Sequence, residues 1–325
     1  MLQSEGKTKM SKIQKLQMLK RWYNIVTGRS VAAVRQGIGR CYSKCEIRGY
    51  YNDLTNKVSS NSMLDDCGIP YNIISSGKKV YALVTIMQYA LGCYDLYLLN
   101  GDSQMKEHFM MLAEYIKTQQ ASNGKWDARA SMGSYKGNSS CMAQGQGCSV
   151  MLRAYIESDD AGYLKCAKRA IQFMMSDAHE GGTRLLNNGR LTYEKYPIEN
   201  GTASTVLNGW AFALFGLYDY YLASSATEVK QEFDSSCKTL SDIIAEYDCG
   251  FWSKYDLIGT IASPAYHDLH IALLSVLGDL SGQQKLVQYA DRFRSYRRKP
   301  TFKLAAILCK AVQKIFGDSD TFIVQ

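Results

Sequence analysis

Four times along this chain, a stretch that is apolar on nearly every helical face runs into a short polar turn and then an amphipathic stretch. Leu91-Gly92-Cys93-Tyr94-Asp95-Leu96-Tyr97 is echoed 124 residues later by Phe215-Gly216-Leu217-Tyr218-Asp219-Tyr220-Tyr221. Leu152-Arg153-Ala154-Tyr155-Ile156 lies midway, and Leu273-Leu274-Ser275-Val276-Leu277-Gly278-Asp279 follows about one period further on. A period of ~62 residues is long for a solenoid but suits helix pairs joined by long connections. The pattern predicts helices over 80–99 with 103–119, 146–157 with 160–176, 205–222 with 226–246, and 265–280 with 283–297. A helix that is apolar all round must be buried, so the first member of each pair belongs to an inner ring. The fold class is therefore mainly α: an incomplete (α/α) toroid of about four helical hairpins. Residues 41–79, around Tyr50-Tyr51-Asn52-Asp53, are predicted to form a small β-hairpin region, and 301–316 an outer helix. The count of only 4 prolines agrees with long helices.

Such a ring has two unlike ends. The turns within hairpins gather at one end, so the long connections 120–145, 178–204 and 247–264 gather at the other. That mouth also collects the N-termini of the inner helices, whose unpaired N–H groups favour an anion. The connections carry nearly all the chemically versatile residues. Tyr193-Glu194-Lys195-Tyr196-Pro197 places an acid, an amine and two phenols on one segment, with Asn208 at the start of the next helix. Groups of this kind suit a polar ligand with protons to move.

Charge divides the chain. Residues 1–50 hold 11 Lys and Arg against Glu5 and Glu46, so the remaining 275 residues sum to −1 of the net +8. Residues 1–40 thus read as a basic arm, with Ile13, Leu16, Met18, Leu19, Trp22 and Ile25 on one side of a helix, and 41–325 as the toroid domain. The arm is a solvated tail, or it meets an anionic polymer or membrane surface. It lacks the cleavage site of a secretory signal, and no stretch is apolar enough to span a bilayer. The ten cysteines are scattered, with Cys41 and Cys45 the only close pair. They read as reduced thiols of a cytoplasmic protein, peripheral at most to the inner face of the membrane. No metal, cofactor or nucleic-acid partner is expected, and exposed helical flanks leave room for a homodimer. His267 and His270 have the spacing of metal ligands but no third partner, so hydrogen bonding at the helix start is the plainer reading. Lys125-Trp126-Asp127 and Phe251-Trp252 either stack on a sugar ring or close their loops, and Arg153 reads as a structural ion-pair partner.

Seven segments, in order, carry a resemblance. They are Met142-Ala143-Gln144-Gly145-Gln146, Leu152-Arg153-Ala154-Tyr155, Tyr193-Glu194-Lys195-Tyr196-Pro197, Val206-Leu207-Asn208-Gly209, Gly216-Leu217-Tyr218-Asp219, Tyr255-Asp256-Leu257, and Tyr266-His267 through His270-Ile271. Together they resemble the C-terminal domain of the D-glucuronyl C5-epimerases, which convert glucuronate to iduronate within heparosan-type polysaccharides. The resemblance implies that Tyr196, Tyr255 and Tyr266 lie in an active site. It also implies that Asn208 and a turn at Gln144 to Gln146 hold the sugar. Three departures stand out. The family's second adjacent glutamate is Lys195 here, the arginine that often follows Tyr-Asp-Leu is Ile258, and the large β-barrel domain of animal members is absent.

Removing the C5 hydrogen of a uronate requires the carboxylate charge to be offset and the ene-diolate stabilised. Epimerisation further needs a base on one ring face and an acid on the other. Phenols serve if neighbouring cations lower their pKa. The catalytic candidates are accordingly Tyr196, Tyr255, Tyr266, Glu194 and Lys195, with Glu194 turned from Lys195 if the segment alternates as a strand. Gln144, Gln146, Asn208, His267, His270 and Tyr193 are candidates for holding the sugar. The leading expectation is C5-epimerisation of glucuronate residues in an anionic polysaccharide during its biosynthesis. A uronate lyase or hydrolase on the same toroid, and a non-catalytic glycan-binding or assembly protein, are the alternatives.

Overall fold

The computed structural model describes residues 34–59, 62–74, 76–128, 139–196, 198 and 202–316, together with Leu16, Lys20, Tyr23 and Asn24. Most of the basic arm lies outside the described residues. Among these, four inner helices, each 18 residues long, set the frame: α2 (Leu83–Asn100), α4 (Cys141–Ser158), α6 (Leu207–Ser224) and α8 (Pro264–Ser281). Their outer partners are α3 (Ser103–Thr118), α5 (Ala161–Met174), α7 (Thr227–Ile243) and α9 (Gln284–Arg297). Each inner helix packs on its own outer partner, and the four pack in succession on one another, which makes the expected incomplete toroid of hairpins. A short α1 (Thr55–Ser59) precedes the ring and α10 (Pro300–Phe316) lies outside it.

The hairpin turns share one device. Gly101, Asp159, Ser225 and Gly282 end the inner helices in the left-handed region, at φ of 69°, 56°, 54° and 72°. In the first three, the capping N–H returns to the carbonyl four residues back. That conformation costs a residue with a Cβ about 1 kcal/mol, so Asp159 and Ser225 are held there by the packing of their hairpins. Asp102 and Asp160 then cap the next helix, accepting from Gln104 and Met105 N–H and from Gly162 N–H respectively.

Two expectations need correction. The second inner helix begins at Cys141, not near residue 146, so Gln144 and Gln146 are helical and not in a turn. Gly145, which read as part of a turn, instead lets two helices approach, and Gly147 makes room for an indole ring. A Cβ on Gly145 would lie 2.3 Å from the Phe212 carbonyl oxygen, and one on Gly147 would lie 2.4 Å from the Trp126 ring. The β-hairpin region shrinks to two-residue strands, β1 (Asn72–Ile73) and β2 (Lys79–Val80), paired antiparallel. A second hairpin, β3 (Arg184–Asn187) with β4 (Arg190–Tyr193), leads up to Glu194.

Tyr50 and Tyr51 are not in a strand. They belong to a strap that closes the turn end of the ring. Each inner helix offers that strap a polar residue near its C-terminus. Asp95 accepts from Tyr50 N–H (2.8 Å), Arg153 donates to the Gly49 carbonyl (3.0 Å), Asp219 accepts from the Tyr51 hydroxyl (2.8 Å), and Asp279 accepts from the Tyr42 hydroxyl (3.1 Å). Arg153 and Asp219, both fully buried, also pair at 2.7 Å. The repeated Asp of the sequence motif is thus a floor anchor, and Arg153 is the structural ion-pair partner expected.

Candidate active site

At the opposite end, three connections bring Lys195, Tyr196, Tyr255 and Tyr266 into one cluster. Lys195 follows β4, and its side chain lies across the first turn of α6. A Cβ on Gly209 would come within 2.6 Å of Lys195 Cβ, so only glycine admits the stem there. Lys195 Nζ donates to the Tyr255 hydroxyl at 2.8 Å. It also sits 5.4, 5.3 and 5.9 Å from the ring centroids of Tyr196, Tyr255 and Tyr266. Ring faces stabilise a desolvated ammonium by about 0.5–2 kcal/mol each, so the cage holds the cation without neutralising it. One of the three ammonium hydrogens is committed to Tyr255, and the others can meet a carboxylate.

Tyr255 is the centre of the group. Its hydroxyl lies 3.2 Å from that of Tyr196, and its ring meets Tyr266 edge-on with centroids 4.9 Å apart. Burial holds its phenol well above the ordinary range, and the adjacent Tyr196 and Tyr266 push the same way. The expectation that a neighbouring cation lowers the phenol pKa fails at this residue. Desolvation outweighs the ammonium, and Tyr255 is a neutral phenol with a proton to give. Its loop is secured from below by Leu207 N–H, which donates to the Tyr255 carbonyl at 3.1 Å.

Sequence reasoning missed α10 altogether as a contributor. Lys310 Nζ stands 5.8 Å from the Tyr255 ring centroid, a second cation at the site. The Gln313 carboxamide accepts from Ile261 N–H (3.0 Å) and donates to the Gly259 carbonyl (3.0 Å), pinning the loop that follows Tyr255. These contacts cross more than 50 residues and follow no motif.

Glu194 and Lys195 point apart, as strand alternation implies. The Glu194 carboxylate is buried and accepts from Thr205 N–H (2.9 Å) and the Thr205 hydroxyl (2.8 Å). Burial raises its pKa, and Thr205 works against that. Tyr193 is buried too, its hydroxyl bonded to Glu232 at 2.9 Å beside the Arg184–Glu232 pair. Gln144 spends its carboxamide on both main-chain groups of Trp126 (3.2 and 3.0 Å), which fixes the first mouth loop. Gln146 is buried deeper in the ring, near Tyr50. The structure does not bring these four to the tyrosine cluster. Trp126 and Trp252 are fully buried and close their loops.

Asn208 lies in the first turn of α6, one residue past its start and not at the cap. Its amide nitrogen is 3.9 Å from the Met142 sulfur, and its oxygen has no partner among the described residues. His267 and His270, on α8 with Tyr266, are linked through Ser253. Ser253 N–H donates to His267 Nδ1 (3.2 Å), so that nitrogen carries no proton and Nε2–H donates to the Phe293 carbonyl (3.0 Å). The Ser253 hydroxyl bridges the two rings, 2.8 Å from His267 Nδ1 and 2.9 Å from His270 Nδ1. His270 Nε2 is buried with no partner among the described residues. Burial drives both imidazoles down, His267 to about 3, with Lys195 adding to the effect on His270.

Comparison with known proteins places this geometry. The chain is 30% identical over 219 residues to a D-glucuronyl C5-epimerase of Caenorhabditis elegans, covering 59% of this chain and 35% of that protein. It is 25% identical over 153 residues to an uncharacterised protein of Methanocaldococcus jannaschii, 46% of this chain and 49% of the other. The chain therefore spans about a third and about half of these two curated relatives. Among solved structures, an unsaturated glucuronyl hydrolase from Bacillus sp. GL1 superposes with a TM-score of 0.46 at 14% identity, over 66% of this chain and 61% of that one. That likeness is too loose to bear on the reaction. Residues 119–295 match the sequence model of the D-glucuronyl C5-epimerase C-terminus, more than half of the chain, and to that family the chain belongs.

Proposed function

We propose that this chain epimerises D-glucuronate to L-iduronate residues at C5 within an anionic polysaccharide or oligosaccharide. The observation that carries the reading is the caged Lys195 beside the neutral, half-buried Tyr255. The ammonium receives the substrate carboxylate and stabilises the ene-diolate more than the ground state, because negative charge grows there as the proton leaves. Tyr255 delivers a proton to one face of C5. Tyr266, 39% exposed at the mouth, gives its proton to water and then takes the C5 hydrogen from the other side. Asn208 and Lys310 hold the sugar and its neighbours. Glu194 acts through Thr205, keeping the segment that carries Lys195 in place.

Incubation with glucuronate oligosaccharides in heavy water tests the reading. Deuterium entering C5 in substrate and product is the expected result. An unsaturated, ultraviolet-absorbing product identifies a lyase, which shares the first proton abstraction but then expels the C4 substituent. Binding with neither outcome leaves a glycan-binding protein.

A further inference from the structure

Helix α10 runs along the mouth end with one face engaged and the other bare. On the engaged side the Phe302 ring meets those of Phe251 and Tyr296, at 6.1 and 5.7 Å between centroids, Ala306 is fully buried, and Gln313 holds the Tyr255 loop. On the bare side Leu304, Leu308 and Val312, one turn apart, are 59%, 57% and 52% exposed. Ile258, on the loop that Gln313 pins, is 61% exposed and adds a fourth aliphatic beside the same helix. A row of this kind on the surface marks an interaction site.

The charge around it selects the partner. From Arg292 to Phe316 there are eight basic residues and no acidic one. Arg292, Arg294 and Arg297 are matched by Asp248, Asp291 and Asp268. Arg298, Lys299 and Lys303 have no carboxylate partner among the described residues, and Lys303 directly precedes Leu304 in the helix. A second copy of the chain docked face to face would bring like charges together. A sugar polymer would leave four aliphatic side chains without a counterpart. An anionic bilayer satisfies both features, since the aliphatics enter the acyl boundary while the cations meet the headgroups.

We propose that α10 is an interfacial helix that docks the mouth end of this protein on an anionic lipid surface. Cys309, exposed next to Leu308, is a built-in reporter. In the full chain carrying Cys45→Ser and Cys67→Ser, an environment-sensitive dye is attached, and the signal of the same chain with Cys309→Ser is subtracted. Vesicles of phosphatidylglycerol and phosphatidylcholine should shift the Cys309 dye to the blue, and pure phosphatidylcholine should not. Leu304→Glu with Leu308→Glu should remove the shift and weaken vesicle binding about tenfold or more, while turnover of a soluble oligosaccharide stays unchanged. Vesicle binding through the basic arm with no shift at Cys309 overturns the proposal. So does a dye that is already blue before vesicles are added, which shows that the last nine residues or a second copy covers the row. The dye reads docking alone, so failure of the exchange assay leaves this result standing.

Discussion

Lys195 sits where three phenol rings and one hydroxyl converge, and nothing but the hydrogen of Gly209 separates its stem from α6. Both facts are testable. Lys195→Met should slow C5 exchange about 10²-fold, the scale for one preorganised electrostatic partner. Gly209→Ala should approach the same loss without touching any group that reacts, because a methyl 2.6 Å from Lys195 Cβ forces the lysine aside. Far-UV circular dichroism of both variants should match the parent. Unchanged exchange in Lys195→Met would remove the ammonium from the mechanism. Tyr255→Phe should abolish exchange. The parent rate should also persist into alkaline solution without a falling limb in the ordinary phenol range, since burial keeps the Tyr255 proton in place.

At the level of elements, the strap and the inner helices are coupled through protonation. Burial raises Asp95 on α2 to about 7, against the pull of Tyr50 N–H and Arg153. Its pKa is therefore higher in the fold than in the unfolded chain. The stability it contributes is complete below about pH 4 and drains away as pH rises through 7. Asp95→Asn keeps an acceptor for Tyr50 N–H and has no charge to lose. Its stability relative to the parent should thus climb between pH 5 and 8, by a few kcal/mol at most. Parallel urea curves at the two ends of that range would show that Asp95 does not titrate with folding. The repeated Asp that anchors this strap was visible in the sequence as a period, as were the inner helices, because burial on all sides leaves an unbroken apolar run. What Gly145 does was not visible, since a glycine in a turn and a glycine under a crossing helix read alike. Gln144 and Glu194 looked like site residues for a related reason. A polar side chain near a mouth reads the same whether it faces substrate or pins a loop, and only the partners, Trp126 and Thr205, decide.

Across the whole molecule, the two ends of the ring have opposite tasks. The floor is sealed by buried polar pairs joining residues 49, 51, 153 and 219, and breaking such a pair costs about 3–5 kcal/mol. Asp219→Ala should accordingly lower the melting temperature sharply, while an equally drastic change at the mouth, Lys195→Met, should barely move it. A chain ending at residue 299 should keep the ring and lose most C5 exchange, because Gln313 and Lys310 leave with α10. Gln313→Ala should show a milder form of the same loss. A chain ending at 299 with full activity would mean that the Tyr255 loop holds itself. The bond from Gln313 back to Gly259 and Ile261 also sets an order in time. Residue 313 follows every helix of the ring in the chain, so the Tyr255 loop is secured only after the ring's own helices have been made. A chain cut short before residue 313 is then expected to be a folded ring whose Tyr255 loop lacks the Gln313 clasp.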